Sequence, residues 1–289
     1  MNKKLCIAGH SGFIGSYIVP KFENEGFEIV KIMKSDIMEE NIEKIIDAVN
    51  GSHVVINLSG VSINRRWSKK NRELIRNSRI RSTEIIVHAI EKAVYRPEVF
   101  INASGIDIYP QSKVCEENCT MRNHSFLADL ISDWENSCEP LNQLSIRTVL
   151  VRLGVVFGKD GGIFKVFNES IKRFVGIVFG NGMQHISVVH INDLFNALNF
   201  IIKTNFLSGA INIVAPNTCR QIDIVKRICE KYNKKRIISI NKNLVKLFFG
   251  ERSSLLLDDR MVFPFKLVEM GFKFQFDNIK DMIDDLIGQ

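Results

Sequence analysis

The chain has 289 residues, of which 45% are hydrophobic and 25% charged, and it carries a net charge of +7. That is the balance of an ordinary globular protein, long enough for one large α/β domain or for a nucleotide domain with a smaller companion. It argues against a membrane span, because the best apolar candidate, Ile171 to Gly180, is broken by Lys172, Arg173 and glycines, and the positive charge suits anionic ligands without indicating nucleic acid.

Lys4-Leu5-Cys6-Ile7-Ala8 predicts a short buried strand. It runs into Gly9-His10-Ser11-Gly12-Phe13-Ile14-Gly15, and a helical stretch follows. Strand, glycine turn and helix start is how a Rossmann fold receives a dinucleotide pyrophosphate. Gly9 allows the tight turn, Gly12 removes the Cβ that would block backbone approach, and Gly15 lets the helix pack on the strand. The phosphates then sit at the partly positive helix start. Gly9, Ser11, Gly12, Phe13, Ile14 and Gly15 are therefore the first candidate coenzyme contacts.

Phe27 to Met33 reads as the second strand and about Asn41 to Val49 as a helix. Val54-Val55-Ile56-Asn57-Leu58 is a β-branched strand. Leu58, Ser59 and Gly60 fall at its C-terminal end, where ligands bind in such sheets. Lys70 to Ala93 predicts a long helix, with Leu74, Ile75, Ile80, Ile85 and Ile86 at roughly helical spacing. Val99-Phe100-Ile101 opens the next strand, His124 to Glu139 is a helix ended by Pro140, and Ser145 to Leu153 is a strand. Strands separated by helices imply an α/β fold, a Rossmann-type doubly wound parallel sheet.

The alternation loosens after Gly154, with glycine-punctuated loops at 160–162 and 176–182. Val188 to Asp193 starts a short strand and helix, and from Ala215-Pro216 onward short elements form a smaller C-terminal α/β lobe for substrate. The expected partition is a nucleotide domain of residues 1–155 with about 186–215, and a lobe of 156–185 with 216–289.

Six cysteines are scattered along the chain without a Cys-x-x-Cys pair, and Cys115 and Cys119 have no matching second pair. No histidine, cysteine or carboxylate spacing suggests a metal. Leu5 to Gly9 is too short for a signal-peptide core, so reduced thiols and a cytoplasmic location are expected. Asn64 to Arg81 holds eight arginines and lysines against Glu73, with Trp67 among them. A solvated helix face near the coenzyme explains this run better than nucleic acid does.

Three segments together, Gly-x-x-Gly-x-x-Gly at 9–15, Asn57-Leu58-Ser59-Gly60, and Arg152-Leu153-Gly154-Val155-Val156-Phe157-Gly158, resemble extended short-chain dehydrogenase/reductases. Arg66-Trp67, Ser78-Arg79, Phe126-Leu127-Ala128 with Trp134-Glu135, Asp160-Gly161-Gly162 and His190-Ile191-Asn192-Asp193 are similar to one atypical branch, an epimerase-like family of unknown substrate. Phe249-Gly250-Glu251, Leu255-Leu256-Leu257, Pro264 and Gly271-Phe272-Lys273-Phe274 resemble its C-terminal module, so the likeness spans essentially the whole chain.

The resemblance implies a nicotinamide coenzyme. Lys34 falls where the family usually has arginine, which implies NADP (NADPH) over NAD, although Asp36 nearby would repel a 2′-phosphate and Lys34 also fits a solvated surface lysine. Asp36-Ile37 reads as the remnant of a third strand. Arg79 matches a position facing the coenzyme; otherwise it is one more charge on a basic helix.

Standard relatives use a tyrosine and a lysine four residues later on one helix for proton transfer. Tyr109-Pro110-Gln111-Ser112-Lys113 has that spacing but sits in a loop with little helical continuation, so the two side chains need not share a face. On the helix expected to carry the dyad stand Phe126, Leu127, Leu130, Ile131 and Trp134, none of which moves protons. Ser104 and Tyr109 are left as the catalytic candidates, against the readings of strand-end serine and packed aromatic. His190 and Asp193 occupy a family-like position, and a lone histidine is more often structural.

The expected function is an NADP-dependent oxidoreductase or epimerase without the standard dyad, acting on a small, anionic substrate such as a sugar nucleotide or phosphorylated sugar. The alternative is a non-catalytic NADP(H)-binding sensor or partner-binding protein. No membrane partner is expected, and homodimerisation is left open.

Overall fold

The computed structural model describes residues 3–288; Met1 and Asn2 of the basic opening stretch lie outside them. β1 (Lys3–Ala8) leads to α1 (Phe13–Asn24), β2 (Phe27–Ile32), α2 (Lys34–Met38), α3 (Ile42–Val49), β3 (Val54–Asn57), α4 (Lys69–Lys92) and β4 (Val99–Gly105). After β5 (Val114–Cys115) come α5 (Phe126–Asn136), β6 (Arg147–Leu153), β7 (Val155–Phe157), α6 (Gly162–Arg173) and β8 (Gly176–Phe179). β9 (His185–Ile186), β10 (Val188–His190), α7 (Ile191–Lys203) and β11 (Gly209–Ile213) follow. The chain closes with β12 (Cys219–Arg220), α8 (Gln221–Lys231), β13 (Ile237–Ile240), α9 (Lys242–Phe249), α10 (Ser254–Leu257), β14 (Met261–Val262), α11 (Phe265–Glu269) and α12 (Ile279–Ile287).

Six strands form the central sheet in the order β11-β6-β4-β3-β1-β2. β1 pairs in parallel with β2 on one side and β3 on the other, and Ala8 stands opposite both Ile32 and Asn57. Strand order therefore reverses at β1, and the turns after β1 and β3 leave the sheet at the same edge, where doubly wound sheets bind ligands. Leu5, Cys6, Ile7 and Ala8 are wholly buried, as a strand covered on both faces requires.

The expected third-strand remnant is instead helical. Lys34–Met38 forms α2, and Asp36 lies 3.7 Å from Lys44 on α3. A carboxylate in the first turn suits the helix dipole, and the pair holds α2 against α3 rather than releasing the segment to the sheet edge. α5 is also shorter than its predicted span. Ser125 accepts a hydrogen bond from the Ala128 amide and starts the helix there, and α5 ends at Asn136. Pro140 belongs to a following 3₁₀ segment, Glu139–Leu144.

The chain divides into two units. The first comprises the segment through Ile108, His124–Arg152 and Leu198–Ile211. Its core gathers Cys6, Ile45, Val55, Ile86, Ile90 and Phe100, and Phe22 packs edge-on against Phe27 with ring centroids 5.6 Å apart. The second comprises Tyr109–Asn123, Leu153–Ala197 and the stretch from Asn212 onward, with a core around Phe157, Phe164, Ile224, Ile228, Met282 and Ile283. Residues 186–197, expected with the nucleotide domain, cluster in this second unit because β10 pairs in parallel with β7. Among the described residues no helix is long and apolar enough to cross a membrane.

Candidate functional site

The turn between β1 and α1 is built by three glycines with three different physical reasons. Gly9 has φ +81°, and a Cβ there would meet the Leu58 backbone at 2.7 Å. Only glycine fits both the left-handed backbone and that approach. A Cβ on Gly15 would fall 2.2 Å from the Gly9 carbonyl oxygen and 2.7 Å from His10 Cα. Gly15 therefore keeps the first turn of α1 against the end of β1.

Gly12 is different. Its backbone is extended, φ −75° and ψ 174°, a conformation open to any residue. A Cβ there would have one neighbour within 4 Å, the Gly9 oxygen at 3.4 Å. Nothing in the folded chain demands glycine at this position. Gly12 caps α1 with no side-chain hydrogen bond, so no side chain closes off the first-turn amides of Phe13, Ile14 and Gly15. Amides at a helix start attract an anion. Ser11 is exposed beside them, and His10 Nδ1 is buried without a hydrogen-bond partner among the described residues.

The neighbouring strand end is held rigidly. Asn57 Nδ2 donates to Thr83 Oγ1 at 2.9 Å and to Asn102 Oδ1 at 2.8 Å. Its Oδ1 accepts the Ser59 amide at 3.0 Å. Trp134 Nε1 also donates to Thr83 Oγ1, at 2.9 Å. This network, centred on the buried Asn57, Thr83 and Asn102, fixes the course of Leu58 and Ser59 after β3. A polar Asn57 ending a β-branched run was the visible sequence signal, but its partners on α4, β4 and α5 were not.

Gly60 gives room to Arg79: a Cβ there would lie 3.1 Å from the guanidinium carbon. Arg79 donates to the carbonyls of Val61 and Ile75 at 3.0 and 3.2 Å, and its guanidinium carbon lies 5.4 Å from the Trp134 ring centroid. Burial pushes its pKa down to about 10. Its recorded hydrogen bonds go to neutral carbonyls, so the charge suits an incoming anion. The rest of the basic run is largely engaged within the first unit. Arg76 pairs with Asp133, Arg81 with Glu40, and Arg72 lies over the Phe126 ring. Lys34 opens α2 just past the end of β2, exposed to solvent.

Ser104 ends β4 in a second buried network. Its hydroxyl donates to Glu135 Oε1 at 2.6 Å. Arg152 grips the same carboxylate through Nε at 2.8 Å and Nη2 at 2.7 Å. The hydroxyl proton is thus committed to a carboxylate, which leaves the oxygen as an acceptor. Tyr109 belongs to the second unit, only 1% exposed, and donates to Asn212 Oδ1 at 2.8 Å. No helix joins it to Lys113, whose ammonium lies 3.5 Å from Met121 Sδ; Val114 and Cys115 form a strand instead.

Two histidines of the second unit lie beside carboxylates. The Asn192 amide donates to His190 Nδ1 at 3.1 Å, and Nε2 lies 3.3 Å from Asp285. Asp193 accepts the amides of Gln275 and Phe276, while burial raises its pKa. His185 Nδ1 lies 2.8 Å from Asp259 Oδ1, which also accepts the His185 amide at 2.7 Å. Among the described residues no cluster of three metal-ligating side chains occurs. A surface cavity of about 660 Å³ between α4 and α5 is lined by Arg76, Arg81, Glu84 and Asp133, with no residue of the glycine turn.

Comparison with known proteins fits this geometry. Residues 5–213 match the NAD dependent epimerase/dehydratase family, and residues 242–286 match a domain of unknown function, DUF1731. Epimerase family protein SH2119 of Staphylococcus haemolyticus is 32% identical over 99% of both chains. Among solved structures, the human epimerase family protein SDR39U1, solved with NADPH, superposes with a TM-score of 0.89 at 23% identity, covering 98% of both chains. The UDP-glucose 4-epimerase of Thermus thermophilus, solved with NAD, gives 0.78 at 16% identity, covering 99% of each. These two likenesses carry the fold, a Rossmann-type sheet with a smaller C-terminal lobe. The chain belongs to the NAD dependent epimerase/dehydratase family.

Proposed function

We propose that the protein binds NADPH at the β1–α1 turn and acts as an oxidoreductase or epimerase on a small anionic substrate, a sugar nucleotide or phosphorylated sugar. One observation carries the coenzyme assignment. Gly12 is glycine in a backbone that does not require it, above open space at an uncapped helix start. A pyrophosphate is the ligand that uses such a space, with the amides of Phe13, Ile14 and Gly15 as donors and Ser11 beside them. Leu58, Ser59 and Gly60 line the other side of the strand-order reversal. Lys34 is assigned to the 2′-phosphate, and Arg79 supplies a second, half-buried positive charge. Bound nicotinamide would supply or accept hydride.

For proton handling, Ser104 and Tyr109 are the residues to test. The hydrogen bonds around them favour positioning. Ser104 Oγ is held by Glu135 as an acceptor for a substrate hydroxyl, and Tyr109 is held by Asn212. Fluorescence titration with NADPH and NADH tests the assignment. NADPH is expected to bind more tightly, and equal millimolar affinities for both would count against it.

The lack of a helix carrying both Tyr109 and Lys113 among the described residues favours a second reading, a non-catalytic sensor of NADP redox state. Turnover of NADPH with sugar nucleotides, quinones or aldehydes distinguishes the two. If Ser104→Ala and Tyr109→Phe leave an observed turnover intact, neither residue handles the proton.

A further inference from the structure

Cys115 and Cys119 stand in the second unit with their sulfurs 3.3 Å apart, both as free thiols. They are the ends of a five-residue segment closed by a turn, in which the Cys119 amide donates to the Glu116 carbonyl at 3.0 Å. Cys115 is fixed from outside: β5 pairs in parallel with β14, and the Phe263 amide donates to the Cys115 carbonyl at 2.9 Å. Cys115 is 1% exposed, whereas Cys119 is partly exposed. A disulfide needs sulfurs about 2.05 Å apart, so bond formation turns the outer side chain inward and draws the two ends of the segment together.

We propose that Cys119 and Cys115 form a peroxide-oxidised thiol pair, in which Cys119 takes the oxygen and Cys115 resolves it to an intramolecular disulfide. In the first step Cys119 sulfur attacks hydrogen peroxide. The O–O bond breaks, an S–O bond forms, and one water leaves with the thiol proton. In the second, Cys115 sulfur attacks the Cys119 sulfenic acid. The S–O bond breaks, the S–S bond forms, and a second water leaves. The two thiols lose two protons and two electrons, and peroxide takes them. Burial, with the adjacent Cys119 thiol, pushes the Cys115 thiol up to about 12 and Lys113 offsets this only in part, so the resolving step is the slow one and the contact between the sulfurs carries it.

The segment that contracts contains Glu117. Its Oε1 accepts the Asn212 amide at 3.0 Å and its Oε2 the Lys266 amide at 3.4 Å. Asn212 in turn accepts the Tyr109 hydroxyl. Closing the disulfide therefore draws Glu117 off the Asn212 amide and loosens the seat of Tyr109. This inference is independent of the coenzyme and of turnover.

The test is peroxide treatment of the whole protein followed by denaturation, alkylation and trypsin. Cleavage after Lys113 and Arg122 releases one peptide, 114–122, holding both cysteines and Met121. That peptide is expected to lose two thiol hydrogens reversibly, so that alkylatable thiols fall from six to four. Cys115→Ser should stop at a Cys119 sulfenic acid trapped by dimedone, and Cys119→Ser should leave Cys115 unreacted. Peroxide that leaves six alkylatable thiols, carries Cys119 only to sulfinic acid, or yields disulfide-linked dimers overturns the proposal. Amide hydrogen exchange at Asn212 should accelerate about tenfold on oxidation, the loss of one hydrogen bond to a charged acceptor. Unchanged exchange in the disulfide form refutes the coupling to Glu117.

Discussion

Replacing Gly12 by alanine separates what the glycine turn does for folding from what it does for ligand. The backbone at Gly12 already lies in the extended region, so alanine introduces no strain there. The new methyl group would meet the Gly9 oxygen at 3.4 Å, a tight contact that a small shift relieves. Alanine is a poorer helix cap than glycine, and its stiffer unfolded chain offsets part of that, for a net cost of about 1 kcal/mol or less. The same methyl group fills the space assigned to the pyrophosphate. Losing two hydrogen bonds from main-chain amides to an anion costs about 3–6 kcal/mol, or roughly two to four decades in NADPH affinity. Gly15→Ala is the contrasting variant. Its Cβ would sit 2.2 Å from a backbone oxygen, so the helix itself must move, and stability should fall by about 1–3 kcal/mol or more. Thermal unfolding without ligand and fluorescence titration with NADPH, run on both variants, read the two effects apart. A Gly12→Ala protein that binds NADPH within about threefold of the parent, a difference of less than 1 kcal/mol, refutes the placement of the phosphates.

Lys34→Ala should weaken NADPH by about tenfold, the lower end for a charge-assisted contact, and leave NADH nearly unchanged in the same titration. Glu135→Gln removes the negative charge beside the buried Arg152 guanidinium but keeps one acceptor oxygen, and equilibrium urea unfolding should show a loss of about 1.5–3 kcal/mol; a joint Glu135→Met, Arg152→Met protein should be less destabilised. Tyr109→Phe leaves Asn212 Oδ1 without its hydroxyl donor and should cost about 1–3 kcal/mol in the same measurement. Burial alone would raise the pKa of Asp259, but the His185 amide, the His185 ring and the Ser112 hydroxyl outweigh it and hold the carboxyl below its ordinary 3.8. A depressed folded pKa contributes stability that is present above 3.8 and lost as pH falls through the folded value, so Asp259→Asn should flatten the acid limb of a stability-against-pH curve.

Local signals made the glycine turn readable. Strand, glycines and helix start are contiguous from Lys4 onward, and the reasons for Gly9 and Gly15 concern atoms a few residues away or on the adjacent strand. The alternation of strands and helices through Leu153 was readable for the same reason. The missing third strand was not. Lys34–Met38 is too short for its periodicity to decide, and the chain forms a short helix there with Asp36 in its first turn. The environment of Ser104 escaped sequence reasoning because Glu135 and Arg152 meet it from elements far along the chain. Trp134-Glu135 and Arg152 were visible as motifs, yet nothing in their spacing shows that they share one buried carboxylate with Ser104. The Tyr109–Lys113 spacing misleads in isolation; Pro110 and the β-prone Val114-Cys115 were the cues against it, and the chain forms a strand there.

β11 completes the central sheet at its outer edge beside β6, although it follows β6 by more than fifty residues. Arg147 at the start of β6 donates to the carbonyls of Ile201, Ile202, Thr204 and Leu207, tying that late return segment to the sheet. A fragment cut after Leu153 would bare a strand rim and strand four acceptors' worth of guanidinium. During synthesis, the central sheet waits for Ile213 to emerge before β11 can complete it, so the nascent chain carries an open edge through much of translation and is then most vulnerable to pairing with a neighbour.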